Sequence, residues 1–229
     1  MQKVALAFCF LFAPFGVHGQ TAGGTDAAQP ANSPSGTSKD RLFYTLPNFL
    51  TLENVGQAPP LSAAEKFRVT ARSTLDPAQF FWHGAQAALG QAQNSDGGYG
   101  QGASGYAKRY AADSADGIIE NFAVQAVLPS LLHQDPRYFQ SAKGGFRRRT
   151  VYALSCIFVT RSDSGQRQFN LSEILGSATA AGISTFTYHP KGDRNISNAI
   201  SVWETQVGFD ALGNVVKEFW PDIRRKLHK

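Results

Sequence analysis

Capping signatures and prolines divide the chain beyond residue 60 into segments that suit helices of modest length. Ser62 followed by Glu65 is a capping box, in which each side chain satisfies a backbone group of the first turn, and it opens a helix to about Ser73. Asp76-Pro77 sets a cap before a proline suited to the first helical position and opens a helix to about Ala92. Asn94 to Gly100 is a loop by composition. A long helix is expected from about Gln101 to Leu128, where Pro129 ends or kinks it. Asn170 with Glu173 repeats the capping logic and opens a helix to about Thr187, and a last helix runs from near Asn195 to Trp220 and stops at Pro221. Thr150 to Thr160 is apolar and precedes Asp163-Ser164-Gly165, so residues 150–170 form either a helix plus turn or a hairpin; short apolar runs do not decide between them. The expectation is a mainly α chain: one helical bundle of about five to six helices within residues 41–229.

The first 40 residues read differently. Lys3, the nine-residue apolar stretch Val4 to Phe12, and small or tolerated residues at Val17 and Gly19 form a secretory signal peptide over residues 1–19. Residues 20–40 are Gly, Ser, Pro, Ala and Thr with almost no large apolar groups, a flexible tether unable to offset its ordering entropy. Arg41 to Pro60 is too apolar for free solution and too rich in proline for one helix, so an extended strap packed on the body is expected. Of the two cysteines, Cys9 leaves with the signal and Cys156 stands alone, which excludes a disulfide scaffold. Apolar residues make up 42% and charged residues 17%, which excludes wholesale disorder. The expected address is export, with the protein periplasmic or membrane-associated in a cell envelope.

Small residues recur every four positions at Ala103, Ala107, Ala111 and Ala115, and again at Gly176, Ala180 and Ser184. Such ridges let helices approach closely, in a tight soluble core or in a membrane. Asp113, Asp116 and Glu120 share one helix face and are either a solvated stripe or carboxylates poised for acid–base chemistry. Gln206, Asp210, Asn214 and Lys217 or Glu218 form a second stripe, read as an interhelical polar network rather than a ligand site. No His or Cys spacing argues for zinc, and no metal or cofactor is expected. His133-Gln134-Asp135-Pro136-Arg137-Tyr138-Phe139 could supply a base, an orienting carboxylate and an anion clamp; equally, Pro136 fixes the backbone, Asp135 caps a turn and Arg137 pairs with a carboxylate. Gly100-Gln101-Gly102 with Gly105 matches G-x-G-x-x-G by count alone, because it follows a polar loop rather than a strand.

Several blocks resemble the recurring segments of an uncharacterised family of bacterial exported proteins. They are Gly100-Gln101-Gly102 with Tyr106 to Tyr110, His133 to Phe139, Thr160 to Gly165, Phe169 to Ile174 and Lys217 to Asp222. The resemblance spans roughly Arg41 to Ile223 and implies an envelope protein, bringing no activity, cofactor or catalytic residue with it. Where that family would have Tyr-Tyr-Pro, this chain has Tyr188-His189-Pro190, which argues against His189 as a site. Between Arg137 and Arg167, seven basic residues face Asp163 alone, a net +6, and Arg224, Arg225, Lys226 and Lys229 add a basic tail. Arg147, Arg148 and Arg149 are the candidate lipid or anion contacts. The expected function is a structural or interaction module at a membrane surface, its partner anionic lipid or an envelope protein and not nucleic acid. The rival is a hydrolase whose pocket joins His133 and Asp135 to Asp113, Asp116 and Glu120.

Overall fold

The computed structural model describes residues 39–53 and 59–227. The residues read as a signal peptide, and nearly all of those read as a tether, lie outside the described residues. Lys39 and Asp40, assigned to the tether, are described, and Asp40 accepts a hydrogen bond from the Trp220 indole at 2.9 Å. The body therefore begins before Arg41.

The molecule is mainly α. Helix α1 (Ala63–Thr74) starts at the expected capping box, with both reciprocal bonds formed between Ser62 and Glu65. Helix α2 (Pro77–Gln93) starts at Asp76, whose side chain accepts from Ala78 N. Helix α3 (Gly102–Phe122) continues through a π-helical turn (Ala123–Val127) into α4 (Leu128–Leu131). Pro129 lacks an amide hydrogen and crowds the carbonyl four residues back, and the wider turn lets the rod continue past it. Helix α5 (Phe146–Ser155) precedes a hairpin, which settles the region left open above. Helix α6 (Leu171–Thr187) is capped by Asn170, and α7 (Ile196–Leu227) is the longest element.

Short strands tie the helices together. The strap contributes β1 (Arg41–Leu42) and β2 (Leu46–Pro47), paired with each other, and β3 (Thr51–Leu52). After α4 come β4 (Gln134–Asp135) and β5 (Tyr138–Phe139), and after α5 come β6 (Val159–Ser162) and β7 (Arg167–Phe169). Strand β3 runs parallel to β5, with Thr51 beside Tyr138, while β4, β6 and β7 form an antiparallel sheet. The β6–β7 turn is Asp163-Ser164-Gly165, and Gly165 takes φ +83°, a conformation open to glycine at little cost.

The small-residue ridges part company. Gly176, Ala180 and Ser184 are buried, and a Cβ on Gly176 would lie 2.9 Å from Val124, so α6 packs tightly on the π turn. Ala103, Ala107 and Ala111 are exposed; the most buried positions of α3 are Gly105, Arg109 and Ala112.

Helix α7 does not stop at Pro221 but continues to Leu227, which corrects the expected boundary. Proline cannot donate to the carbonyl of Lys217, four residues earlier. That carbonyl is met instead by the Gln140 side chain at 2.5 Å, and Arg149 donates to the next carbonyl, that of Glu218. Side chains from outside the helix thus satisfy the groups that would otherwise end it. Replacing Gln140 by Leu should cost about 1–3 kcal/mol, the penalty for an orphaned buried acceptor. In a Pro221→Ala background the cost should shrink, because residue 221 then supplies an amide donor. Urea denaturation of the four chains of this double-mutant cycle checks the coupling.

Candidate functional site

Polar side chains occupy the interior of the helical layer while many large apolar ones face outward. The fully buried residues include Lys66, Thr70, Thr74, Ser177, Ser184 and Glu218. The contiguous buried apolar cluster is small: Phe49, Leu50, Leu61 and Val69.

A cavity of about 990 Å³ lies among the strap, α2, the π turn, β4, β5 and the inner face of α7. Its apolar wall includes Leu50, Trp82, Leu89 and Phe209, and its polar lining includes Gln125, Ser172, Glu173, Asp210, Asn214 and Lys217. The first turn of α6 explains how Glu173 comes to face it. Asn170 accepts from Glu173 N at 3.2 Å, as the capping pattern requires. The Glu173 side chain need not reach back to the cap, because Gln134 bridges that end of the helix, accepting from Ser172 N at 2.9 Å and donating to Phe169 O at 2.8 Å. Glu173 is buried and its Oε1 has no hydrogen-bond donor; Ser172 Oγ and Gln125 Oε1 are likewise without partners.

Spacing along α7 puts Asp210, Asn214 and Lys217 on one face, as the second stripe suggested. Burial raises the carboxyl of Glu173, reinforced by Asp210, which shares a hydrogen bond with it, and by Glu120. Asp210 is raised by burial against the pull of Lys217, and burial lowers Lys217 against the pull of Asp210 and Glu173. Glu120 is pushed up to about 9 by burial and by the charges of Asp210 and Asp116. Glu173 and Asp210 thus face the Lys217 ammonium, Glu120 adjoins Asp210, and burial favours the neutral form of each carboxyl.

The acidic stripe of α3 points inward and joins this group to a second one. Asp113 is pushed up to about 7 by burial and by Asp116. Asp116 accepts a hydrogen bond from the Tyr188 hydroxyl, and its Oδ2 lies 3.9 Å from His189 Nε2. Asp96 Oδ1 lies 3.9 Å from His189 Nδ1. Burial pulls His189 down, but Asp116 and Asp96 outweigh it and raise the imidazole. His83, beside Gly117, is lowered by burial. Arg109, buried, pins the adjoining loop through Ser95 O at 3.0 Å and Gly100 O at 2.7 Å. The stripe is therefore not a solvated face, and the glycines of residues 100–105 serve this loop and the start of α3.

The structure does not assemble the His133–Asp135 pair. His133 leaves 86% of its side chain exposed, and its nearest ion-pair partner is Asp163 at 4.0 Å. Asp135 gives both oxygens to Arg137, at 2.6 and 2.8 Å, and Arg137 also holds Pro59 O. Neither residue joins Asp113, Asp116 or Glu120. The basic run divides as well. Arg149 is drawn inward to Glu218 at 2.9 Å and to Asp222, while Arg147 and Arg148 stay exposed. Sequence reasoning missed Glu173 as an interior acid and His189 as the centre of a charged cluster. The histidine in Tyr188-His189-Pro190 was the available signal, but Asp96 and Asp116 are remote from it along the chain. Cys156 lines the cavity with its thiol pushed up to about 11 by burial. Among the described residues, no His, Cys, Asp and Glu side chains are grouped to hold a metal ion.

Comparison with known proteins found no matching family model, no matching curated protein and no matching solved structure. The site's own chemistry makes a prediction. Carboxyls raised by folding bind more protons in the native state than in the unfolded chain, so the stability they contribute is lost as pH rises. For Asp113 the loss runs from its ordinary value near 4 up to about 7, and for Glu120 from its ordinary value to about 9. Melting temperature should therefore fall between pH 5 and pH 8. Glu120→Gln should raise it at pH 8 and flatten the profile. Circular dichroism melts across that range check both.

Proposed function

We propose that the protein is an exported helical module that holds to an anionic membrane surface through α5 and the start of the β6–β7 hairpin. The observation that carries this reading is the split of the arginine run on one amphipathic helix. Phe146 is 73% exposed and Val151 59% exposed on α5, with Leu154 and Phe158 also outward. Arg147 and Arg148 share this outer surface, while Arg149 fastens the helix to α7 by ion pairs and lies over the Phe219 ring at 4.4 Å.

Full burial of such a side chain is worth about 1.5–3 kcal/mol, these partly exposed ones forgo a share of it, and a headgroup boundary would recover part of that share. The arginines would stay at headgroup level, their charges toward lipid phosphates and their stems along the apolar layer. Phe146 also packs against Phe219, ring centroids 5.0 Å apart, so the helix is presented rigidly rather than ordered on contact. Among the described residues no helix is long and apolar enough to cross a membrane, which fits attachment at the surface by α5. The signal peptide read from residues 1–19 would deliver the chain to an envelope.

Replacing Arg147 and Arg148 together by Gln should weaken binding to phosphatidylglycerol vesicles by about 2 kcal/mol, at about 1 kcal/mol per charge, or roughly 30-fold. The loss should largely disappear in 1 M salt, where the Debye length falls to about 3 Å. Phe146→Ser should remove binding that salt does not affect. Co-sedimentation of the full chain with anionic and neutral vesicles checks this. Equal binding to both, indifferent to salt and to all three substitutions, would overturn the reading.

A further inference from the structure

We propose that the cavity beside α6 and α7 binds a single-chain amphiphile with a primary ammonium head, the ammonium seated at Glu173 and Asp210 and the chain along the apolar wall of Trp82, Leu89 and Phe209. The size suits it, since about 990 Å³ lies at the upper end of sites that take drug-sized ligands. Unpartnered polar atoms fix the chemistry of the head. Glu173, 7% exposed, lines the space and has an oxygen without a donor, and Ser172 Oγ and Gln125 Oε1 of the same lining also lack partners. Of these three atoms, Glu173 Oε1 and Gln125 Oε1 call for donors, and the Ser172 hydroxyl can give or take a hydrogen bond. An ammonium brings three donors and no acceptor, an alcohol one donor, and a carboxylate none.

Charge points the same way. Glu173 from α6 and Asp210 from α7 face Lys217, Glu120 from α3 adjoins Asp210, and Asp116 lies further along α3 with the Cys156 thiol beyond α5. A second cation would let these carboxyls ionise together. The basic groups on the lining do not cancel this: Arg137 is neutralised by Asp135, and Arg161 and Arg167 belong to the hairpin side. An alkyl carboxylate would meet the acidic end with like charge, and a purely apolar ligand would leave its acceptors orphaned. The inference is independent of membrane attachment, which uses the outer face of α5.

Calorimetric titration of the full chain at pH 8 with n-octylamine, n-octanoate and n-octanol tests it. Octylamine should bind at least tenfold tighter than either analogue. Its affinity should rise with pH, because each proton that a carboxyl raised by burial gives up frees an acceptor for the ammonium, which keeps its own protons. Glu173→Gln, read together with its melting temperature, should weaken octylamine at least tenfold in a folded chain. Should that variant fail to fold, the analogue series and the pH profile on the unaltered chain decide alone. Lysophosphatidylethanolamine displacing octylamine would assign the ligand to lipid, and failure to displace would assign it to free amines. Octanol or octanoate binding as tightly as octylamine, or a folded Glu173→Gln chain binding it unchanged, would overturn the proposal.

Discussion

Glu218 is fully buried, and four donors converge on its carboxylate: the Tyr138 hydroxyl at 2.8 Å, Ser141 N at 3.0 Å, Ala142 N at 2.9 Å and Arg149 Nε at 2.9 Å. These donors come from β5, the turn that follows it and α5, so one side chain of α7 fixes three other pieces of the fold. The same stretch of α7 secures the strap. Trp220 is buried under Phe43 and Tyr44, which take left-handed backbone to reach it, and its indole holds Asp40. Arg224 then pairs with Asp40 and Glu53, each at 3.2 Å. A buried carboxylate is tolerable only when its lone pairs are met and its charge is answered, and here both conditions hold.

That junction sets the position of the rest. With the C-terminal half of α7 clamped to β5 and α5, its earlier residues run along α6 and keep Asp210 and Lys217 on the cavity. At the other end of the sheet, buried Lys66 of α1 reaches Asp163 at 2.7 Å and the Pro129 carbonyl at 3.1 Å, joining α1, α4 and the hairpin turn. Paired polar groups therefore do much of the joining that a larger apolar core would do elsewhere. The apolar side chains left outside form the surface proposed to meet lipid, and polar ones left inside line the cavity proposed to take an ammonium.

Local signals in the sequence were the ones that could be read. Ser62–Glu65, Asp76-Pro77 and Asn170–Glu173 each act within four residues of themselves, and all three begin helices. Pro221 was read as a stop because its relief comes from Gln140, whose side chain meets a residue 77 positions away. The face shared by Asp113, Asp116 and Glu120 was legible from helical period, but not its inward direction, which follows from packing against α6 and from Tyr188. Arg147, Arg148 and Arg149 are identical as letters. Only the approach of α7 separates the one that pairs with Glu218 from the two that face solvent.

The account stands most directly on the Glu218–Arg149 pair, and a denaturation cycle measures it. Glu218→Gln keeps the shape of the side chain but sets an amide nitrogen against donors and leaves Arg149 with Asp222 alone of its two carboxylates, and should cost about 3–5 kcal/mol. Adding Arg149→Met should recover part of that loss, because the guanidinium that has lost one of its two carboxylates goes with it. Unchanged urea m-values would show that all four chains unfold from equally compact native states. A loss below about 1 kcal/mol for Glu218→Gln, or additive costs in the double variant, would contradict the claim that this carboxylate holds the fold together.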